Sequence, residues 1–397
     1  MVYLMDDTLL YFNNAATSWP KPRQVVEQVM ASLQSPYHEH GRATTLSLKD
    51  YPKITREALC DFYHAENPNH IQFTANATDS LNLLIHGYVK QVNKKIHAIT
   101  TELEHNSVLR PLRTLEREGA ITLSVVPFNQ RGYVSLEDIK EAIQPDTSLA
   151  VINHGSNVLG TLQDIKTMGE YFAANNIFSI IDTAQTSGHV AIDVSKLSSD
   201  AIVFTGHKAL FGFPGIGGFY LRDPEQVSSF KQGGTGVFSE YPYHPKEMPL
   251  KYECGTLNYP GIISLYAGVN FLNDIGLAAI HETTEAMSSF LLEKLSGEDN
   301  LLMYSLQPGL PVIPFNINGM DSDDVAFILM KQNNIMTRAG LHCAPLVHKK
   351  IDDGRGCVRL SLSYFNTMEE CEQVVEAIQT IARSVQRDEY VTLRSVQ

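Results

Sequence analysis

"TGHKALFGFPGIGGFY", residues 205–220, sets Lys208 between Gly206-His207 and a run of glycines too dense for a helix. It follows the apolar stretch "DAIVF" (200–204) and leads into "GGFYLR" (217–222), so it reads as two short strands joined by a glycine-rich loop. Lys208 then stands at the carboxyl end of the first strand. A surface lysine gains nothing from that setting. A lysine beside low-dielectric walls can lose its proton and attack a carbonyl carbon, which suits one that must bond a flat ligand. The glycines are expected to let the backbone turn sharply and to leave room for a bulky ring. Gly212, Gly215 and Gly217 do not follow the order G-x-G-x-x-G, so no dinucleotide site is indicated.

The same order of strand, polar loop and helix recurs upstream. "HIQFTANATDSLNLLIHGYV" (70–89), "KIHAITTELEHNSVLRPLRTLEREG" (95–119), "SLAVINHGSNVLG" (148–160) and "IFSIIDTAQTSG" (177–188) each begin as an apolar strand. Strands apolar throughout and separated by helices predict a mostly parallel sheet covered on both faces, an α/β domain over residues 21–260. Beyond it, "IISLYAGVNFLNDIGLAAIHETTEAMSSFLLEKL" (262–295) reads as a long helical stretch bent near Gly276. Strands at "LPVIPFNING", "IMTRAG" and "CVRLSLSYF" and a closing helix follow. These predict a smaller α+β domain over 261–397, completed by residues 1–20.

In open α/β sheets ligands bind outside the carboxyl ends of the strands, and the polar residues of interest fall there. "FTANATDS" (73–80) would offer free backbone N–H groups and the Thr78 hydroxyl to an anion at a helix N-terminus, or merely cap that helix. It lacks the G-K-[ST] of a nucleotide-triphosphate loop. His105 and Asn157 end two further strands, where structural roles serve equally well. Asp182 is sharper: it follows a run that should be buried, and no basic residue lies near it in sequence. A buried carboxylate needs a cationic partner, and a protonated pyridine nitrogen on a ligand would provide one. Anion site, histidine, buried aspartate and strand-end lysine, in that order, describe a pyridoxal phosphate pocket.

Bulk properties narrow the class. The 397 residues carry a formal net charge of −13, which argues against nucleic acid and against anionic membrane surfaces. Five widely spaced cysteines, Cys60, Cys254, Cys343, Cys357 and Cys371, suggest neither a disulfide framework nor a zinc knuckle. With no signal pattern and no long apolar span, a cytoplasmic protein is expected. The cluster "YHEH" (37–40) is read as solvated histidines rather than a metal site.

With these stretches on the page, a resemblance can be stated. "YFNNAATSWP", "TELEHNSVLRPLRTLEREG", "NHGSNVLGT", "DTAQTSGH", "TGHKALFGFPGIGG", "ECGTLNYPGIISL", "RAGLHCAP" and "VRLSLSYFNT" run in family order over nearly the whole chain. Together they resemble the class V aminotransferases, a fold-type I group of pyridoxal-phosphate (PLP)-dependent transferases. The resemblance is closest to the SufS-like cysteine desulfurases and selenocysteine lyases. It implies that Lys208 bonds the cofactor and later carries the substrate Cα proton, and that Asp182 keeps the pyridine nitrogen protonated. It implies that His105 stacks on the ring, with Gln185 and Asn157 near the ring oxygen and the substrate. Thr78, Thr205 and His207 would hold the phosphate, and Thr256 would reach across from a second subunit, making a homodimer.

Cys343 sits in a short loop between Gly340 and Pro345, and its neighbours His342 and Arg338 are expected to favour a thiolate. By the resemblance it is the nucleophile that takes sulfur from L-cysteine as a persulfide and passes it to an acceptor protein, leaving L-alanine. Arg359 matches the position that clamps the substrate carboxylate, with Arg355 a nearby rival. Selenocysteine lyase, another class V activity such as transamination, and a scaffold without cofactor are the alternative functions. The sequence departs from the family at Ala77, where a threonine is frequent, at Leu341, where a histidine is, and around Arg42, where an arginine–glycine order is inverted. Cys60 and Cys371 are read as packed core.

Overall fold

A computed structural model describes residues 9–34, 36–37, 48–305 and 309–386. The "YHEH" histidines and Arg42 lie outside them. The first half of the chain runs β1 (Leu10–Tyr11), α1 (Arg23–Ser32), α2 (Tyr51–Phe62), β2 (Ile71–Thr74), α3 (Ala77–Val92), β3 (Ile96–Thr101) and α4 (Asn106–Arg117). It continues through β4 (Ile121–Val126), α5 (Leu136–Ala142), β5 (Thr147–Asn153), α6 (Ile165–Ala174), β6 (Phe178–Asp182), β7 (Ala201–Thr205) and β8 (Gly217–Leu221). Then follow α7 (Tyr259–Ile275), α8 (Leu277–Ser296), β9 (Leu301–Met303), β10 (Val312–Ile317) and α9 (Ser322–Asn333). The last elements are β11 (Ile335–Met336), α10 (Pro345–Ile351), β12 (Val358–Ser361) and α11 (Met368–Gln386).

A seven-stranded sheet in the order β2-β8-β7-β6-β5-β3-β4 forms the centre. Only β8 runs against its neighbours, so β2, β3, β5, β6 and β7 all end at one edge. Both faces are covered, as the continuous apolar strands require. Leu59 of α2, Phe172 of α6 and Ile262 and Leu265 of α7 pack on one face; Leu81 and Leu84 of α3 and Leu112 of α4 pack on the other. At about 25 cal/mol per Å² of apolar surface, each such leucine contributes roughly 1.5–3 kcal/mol. A second core, around Phe12, Phe315, Leu360 and Ile378, lies beneath a three-stranded sheet in the order β12-β10-β9.

The helix expected to bend near Gly276 breaks there by 80°. Gly276, at φ 87°, ends α7 and begins α8. Ile262, Val269 and Leu272 of α7 pack in the large-sheet core, whereas Met287, Leu291 and Leu295 of α8 pack in the second. We therefore propose that the chain divides at this bend rather than at residue 260. Among the described residues, no single helix is long and apolar enough to cross a membrane.

The stretch before α1 ties the two parts together. Leu10 and Tyr11 pair with Ile335 and Met336, and the Ala15 N–H donates to Ser361 Oγ at 2.9 Å. The Ser18 N–H and Lys21 Nζ both donate to the His207 carbonyl, at 3.0 and 2.9 Å. Burial pushes the Lys21 ammonium down to about 7.

The glycines after Lys208 meet one half of the expectation: Gly215, at φ 89°, turns the backbone. None of those after Lys208 lines the cavity there. A Cβ on Gly217 would lie 2.8 Å from Asn76 Cα, so this glycine admits the β2–α3 turn against β8. The run supplies a turn and close backbone packing, not space for a ring.

Candidate active site

At the edge where the parallel strands end lies a cavity of about 270 Å³. Thr78, His105, Asn157, Asp182, Gln185, Thr205, His207, Lys208, Cys343 and Arg359 all line it. Thr256 does not; it is exposed elsewhere on this chain.

The anion-facing end is built by α3. Asn76 caps the helix, its Oδ1 accepting from the Asp79 N–H at 3.0 Å, while Thr78 stands exposed at the cavity. The Thr205 hydroxyl opposite is buried and has no hydrogen-bond partner. A buried hydroxyl without a partner costs about 1–3 kcal/mol, and a phosphate oxygen would satisfy it.

His105 caps α4 through its ring. Nδ1 accepts from the Ser107 N–H at 3.1 Å, which places the proton of the neutral imidazole on Nε2. Burial, followed by the charge of Lys208, pushes this histidine down to about 4. It offers the cavity an uncharged ring. Burial also pushes His207 down to about 4, so its ring too is neutral at pH 7.

Asp182 ends β6 with one oxygen accepting from the Ala184 N–H at 2.9 Å. Burial raises its carboxyl above the ordinary range, while that hydrogen bond and the Lys208 charge oppose the rise. Lys208, at the end of the neighbouring β7, is pushed down to about 8, by burial first. A carboxyl and an amine in such surroundings want, respectively, a cation and a carbonyl carbon. Pyridoxal phosphate carries both, together with an anion for Thr205 and the α3 N-terminus, so the residues present fit it.

One contributor went unnoticed in the sequence. Glu104 lies fully buried in the loop after β3, its Oε1 accepting from Thr101 Oγ1 at 2.6 Å and from the Asn153 N–H at 2.9 Å. Burial pushes it up to about 8, with the Asp182 charge adding to the rise. Burial thus favours the protonated acid at Glu104, next to Asp182.

The cavity's other wall comes from the second core. Arg359 on β12 is buried; Nη1 donates to the Asn157 carbonyl at 2.8 Å, while Nε has no partner. Burial, then Arg338, pushes it down to about 9. A buried guanidinium with a donor to spare suits a carboxylate. Arg355 is exposed, donates to the Asp352 carbonyl and stands away from the cavity, so it is no rival.

Cys343 is exposed at the cavity mouth. His342 and Cys343 occupy successive left-handed positions, at φ 47° and 57°, a conformation that costs roughly 1–2 kcal/mol per residue. Three contacts hold it: the Asn106 N–H to the Cys343 carbonyl (2.7 Å), Asn157 Nδ2 to the His342 carbonyl (2.7 Å) and the Ala344 N–H to the Leu341 carbonyl (2.8 Å). His342 departs from expectation. Burial, then Arg359, pushes it down to about 2, so it is neutral and cannot act as a cation beside the thiol. Cys60 and Cys371 are buried, as read, and Cys357 is buried as well.

A strand-end lysine and a buried aspartate thus line one cavity at the sheet edge of a fold-type I architecture. The Aminotransferase class-V family profile matches residues 10–374, and the chain belongs to that family of pyridoxal-phosphate enzymes. It is 32% identical to a probable cysteine desulfurase of Methanothermobacter thermautotrophicus, over 93% of this chain and 94% of that one. It is 30% identical to a cysteine desulfurase of Shigella flexneri, over 94% of each. Among solved structures, the apo cysteine desulfurase of Thermococcus onnurineus superposes with a TM-score of 0.87 at 29% identity, covering 95% of both chains.

Proposed function

We propose that this protein is a PLP-dependent cysteine desulfurase that converts L-cysteine to L-alanine and holds the sulfur as a persulfide on Cys343. The observation that carries the reading is the placement of Lys208 and Asp182 on the same cavity as an exposed cysteine. Pyridoxal phosphate, when bound, supplies an electron sink that acidifies the substrate Cα–H and weakens its Cβ–S bond. Lys208 would hold the cofactor and afterwards move the Cα proton, a task suited to an amine pushed down to about 8. Asp182 would hold the proton on the pyridine nitrogen, and the neutral His105 ring would pack on the cofactor's face. The free Arg359 Nε would take the substrate carboxylate.

Cys343 as thiolate would attack the substrate sulfur. An S–S bond forms and the Cβ–S bond breaks, its electron pair remaining on Cβ, which takes a proton to give alanine. The exposed position of Cys343 leaves the resulting persulfide within reach of an acceptor protein. We further infer a homodimer, since Thr256 is exposed together with the nearby aromatics Phe238, Tyr241 and Tyr243. Five free cysteines suit a reducing compartment, the cytoplasm.

The test is alanine release from L-cysteine by the yellow holoprotein with a thiol reductant, beside Cys343→Ala. Colour retained with release abolished is the expected result. Unchanged release in the variant would remove Cys343 from the mechanism. Release from L-selenocysteine alone would move the assignment to a selenocysteine lyase.

A further inference from the structure

Behind the Cys343 loop a buried chain of side chains runs from His342, which lines the cavity, back to His348 and Asp352, which do not. Asp352 Oδ2 is 2.6 Å from His348 Nδ1, His348 Nε2 is 3.2 Å from His342 Nδ1, and His342 Nε2 is 3.3 Å from the Arg338 carbonyl. Asp352, His348 and His342 are all buried. The chain ends in an acceptor at each side, a carboxylate and a carbonyl. Three hydrogen bonds between two acceptors need three protons on the four ring nitrogens, one more than two neutral imidazoles carry. The directions follow. His348 donates from both nitrogens, to Asp352 and to His342; His342 accepts at Nδ1 and donates from Nε2 to Arg338.

The far end of this chain is the Cys343 loop. Arg338 opens the loop, and its carbonyl also accepts from the Arg359 N–H at 2.8 Å. His342 lies within it, next to the cysteine. We propose that Asp352, His348 and His342 form a proton-ordered relay that positions the left-handed Cys343 turn for attack on the substrate sulfur. These are positioning residues, and the proposal rests on the desulfurase reading above.

A metal is the competing use of the same groups. His342, His348 and Cys357 each point a ligand atom to within 4.8 Å of the others. The relay is favoured because all four imidazole nitrogens already have partners, and a metal would find only three ligands there.

The experiment compares the holoprotein with Asp352→Asn, Asp352→Glu, His348→Gln and Cys357→Ser. Asparagine keeps the shape but removes the charge that holds the third proton, so the His348–His342 link that this proton makes should open. In Asp352→Asn and His348→Gln, amide hydrogen exchange over residues 338–344 should quicken by at least about tenfold. Sulfur transfer to Cys343 should slow by at least about tenfold, with KM for L-cysteine unchanged. Asp352→Glu should recover most of both losses, and Cys357→Ser should behave as the unaltered protein. Unchanged loop exchange and transfer in both Asp352→Asn and His348→Gln overturn the proposal. So does a rise in exchange spread over the whole chain, which marks a merely structural role. Stoichiometric zinc that Cys357→Ser abolishes replaces the relay with a metal site. If the unaltered protein forms no persulfide, the desulfurase reading fails, while exchange at 338–344 still judges the relay.

Discussion

Replacing Glu104 with glutamine should make the protein more resistant to alkali. The carboxyl shifts from 4.5 to about 8 on burial, and each pH step between two such values is worth about 1.36 kcal/mol. Below pH 4.5 the folded and unfolded chains both hold the proton and the group does not bias folding. Between 4.5 and 8 the unfolded chain gives up its proton while the folded chain keeps it, so stability falls as pH rises. Above 8 both are ionised and the loss levels off. From pH 5 to pH 8 that slope takes away about 4 kcal/mol. Glutamine can keep its oxygen toward Thr101 and Asn153, and Glu104 Oε2 has no partner to lose. The assay is urea unfolding of both proteins at pH 5 and pH 8, followed by the fluorescence of Trp19, the single tryptophan. The stability difference in favour of Glu104→Gln should grow by several kcal/mol between the two pH values. Parallel pH profiles would refute the reasoning, because they would mean that Glu104 is ionised in the folded protein at pH 7. Retained cofactor in the variant should accompany the result, since the neutral acid carries no charge that Asp182 relies on.

Arg359→Lys should raise KM for the amino-acid substrate by about 10- to 100-fold with a smaller effect on kcat, because a point charge replaces a fork of donors; steady-state alanine release measures it. Reloading of the stripped protein with pyridoxal phosphate should quicken between pH 7 and pH 9 as the Lys208 amine, pushed down to about 8, loses its proton. A flat pH dependence in the absorbance rise would deny Lys208 that role. Gly188→Ala should cost at least about 3 kcal/mol, since at φ 96° its Cβ would lie 2.3 Å from the Ala209 carbonyl, next to Lys208. A thermal midpoint within a degree of the unaltered protein would contradict it.

Most of the cavity was legible because its residues obey a local rule. Thr78, His105, Asn157, Asp182 and Lys208 each follow an apolar run or open a helix, so strand ends could be read one after another. Glu104 escaped that rule. In "TELEH" it looks like Glu102, yet Glu102 reaches Lys350 at the surface while Glu104 is fully buried. Only the packing of β3 against β5 separates the two. His348 and Asp352 were equally silent: they sit on and just after α10, a short helix that the sequence reading did not mark. The expectation for His342 failed for the same kind of reason, since a histidine beside a cysteine reads as a cation until its burial is known.

The contacts of residues 13–18 have a further consequence for how the protein is made. Ala15 lines the cavity, and its N–H is held by Ser361, 346 residues away along the chain. Arg359, two residues before Ser361, reaches Asn13. A nascent chain folds from its N-terminal side as it emerges, so the seven-stranded sheet with Lys208 and Asp182 can assemble while one wall of the pocket is still unmade. Ser18 can already meet the His207 carbonyl, but residues 13–15 must wait until β12 is delivered. Closure of the pocket therefore falls to the end of synthesis, and a chain truncated before β12 would carry the lysine without the wall that Arg359 supplies.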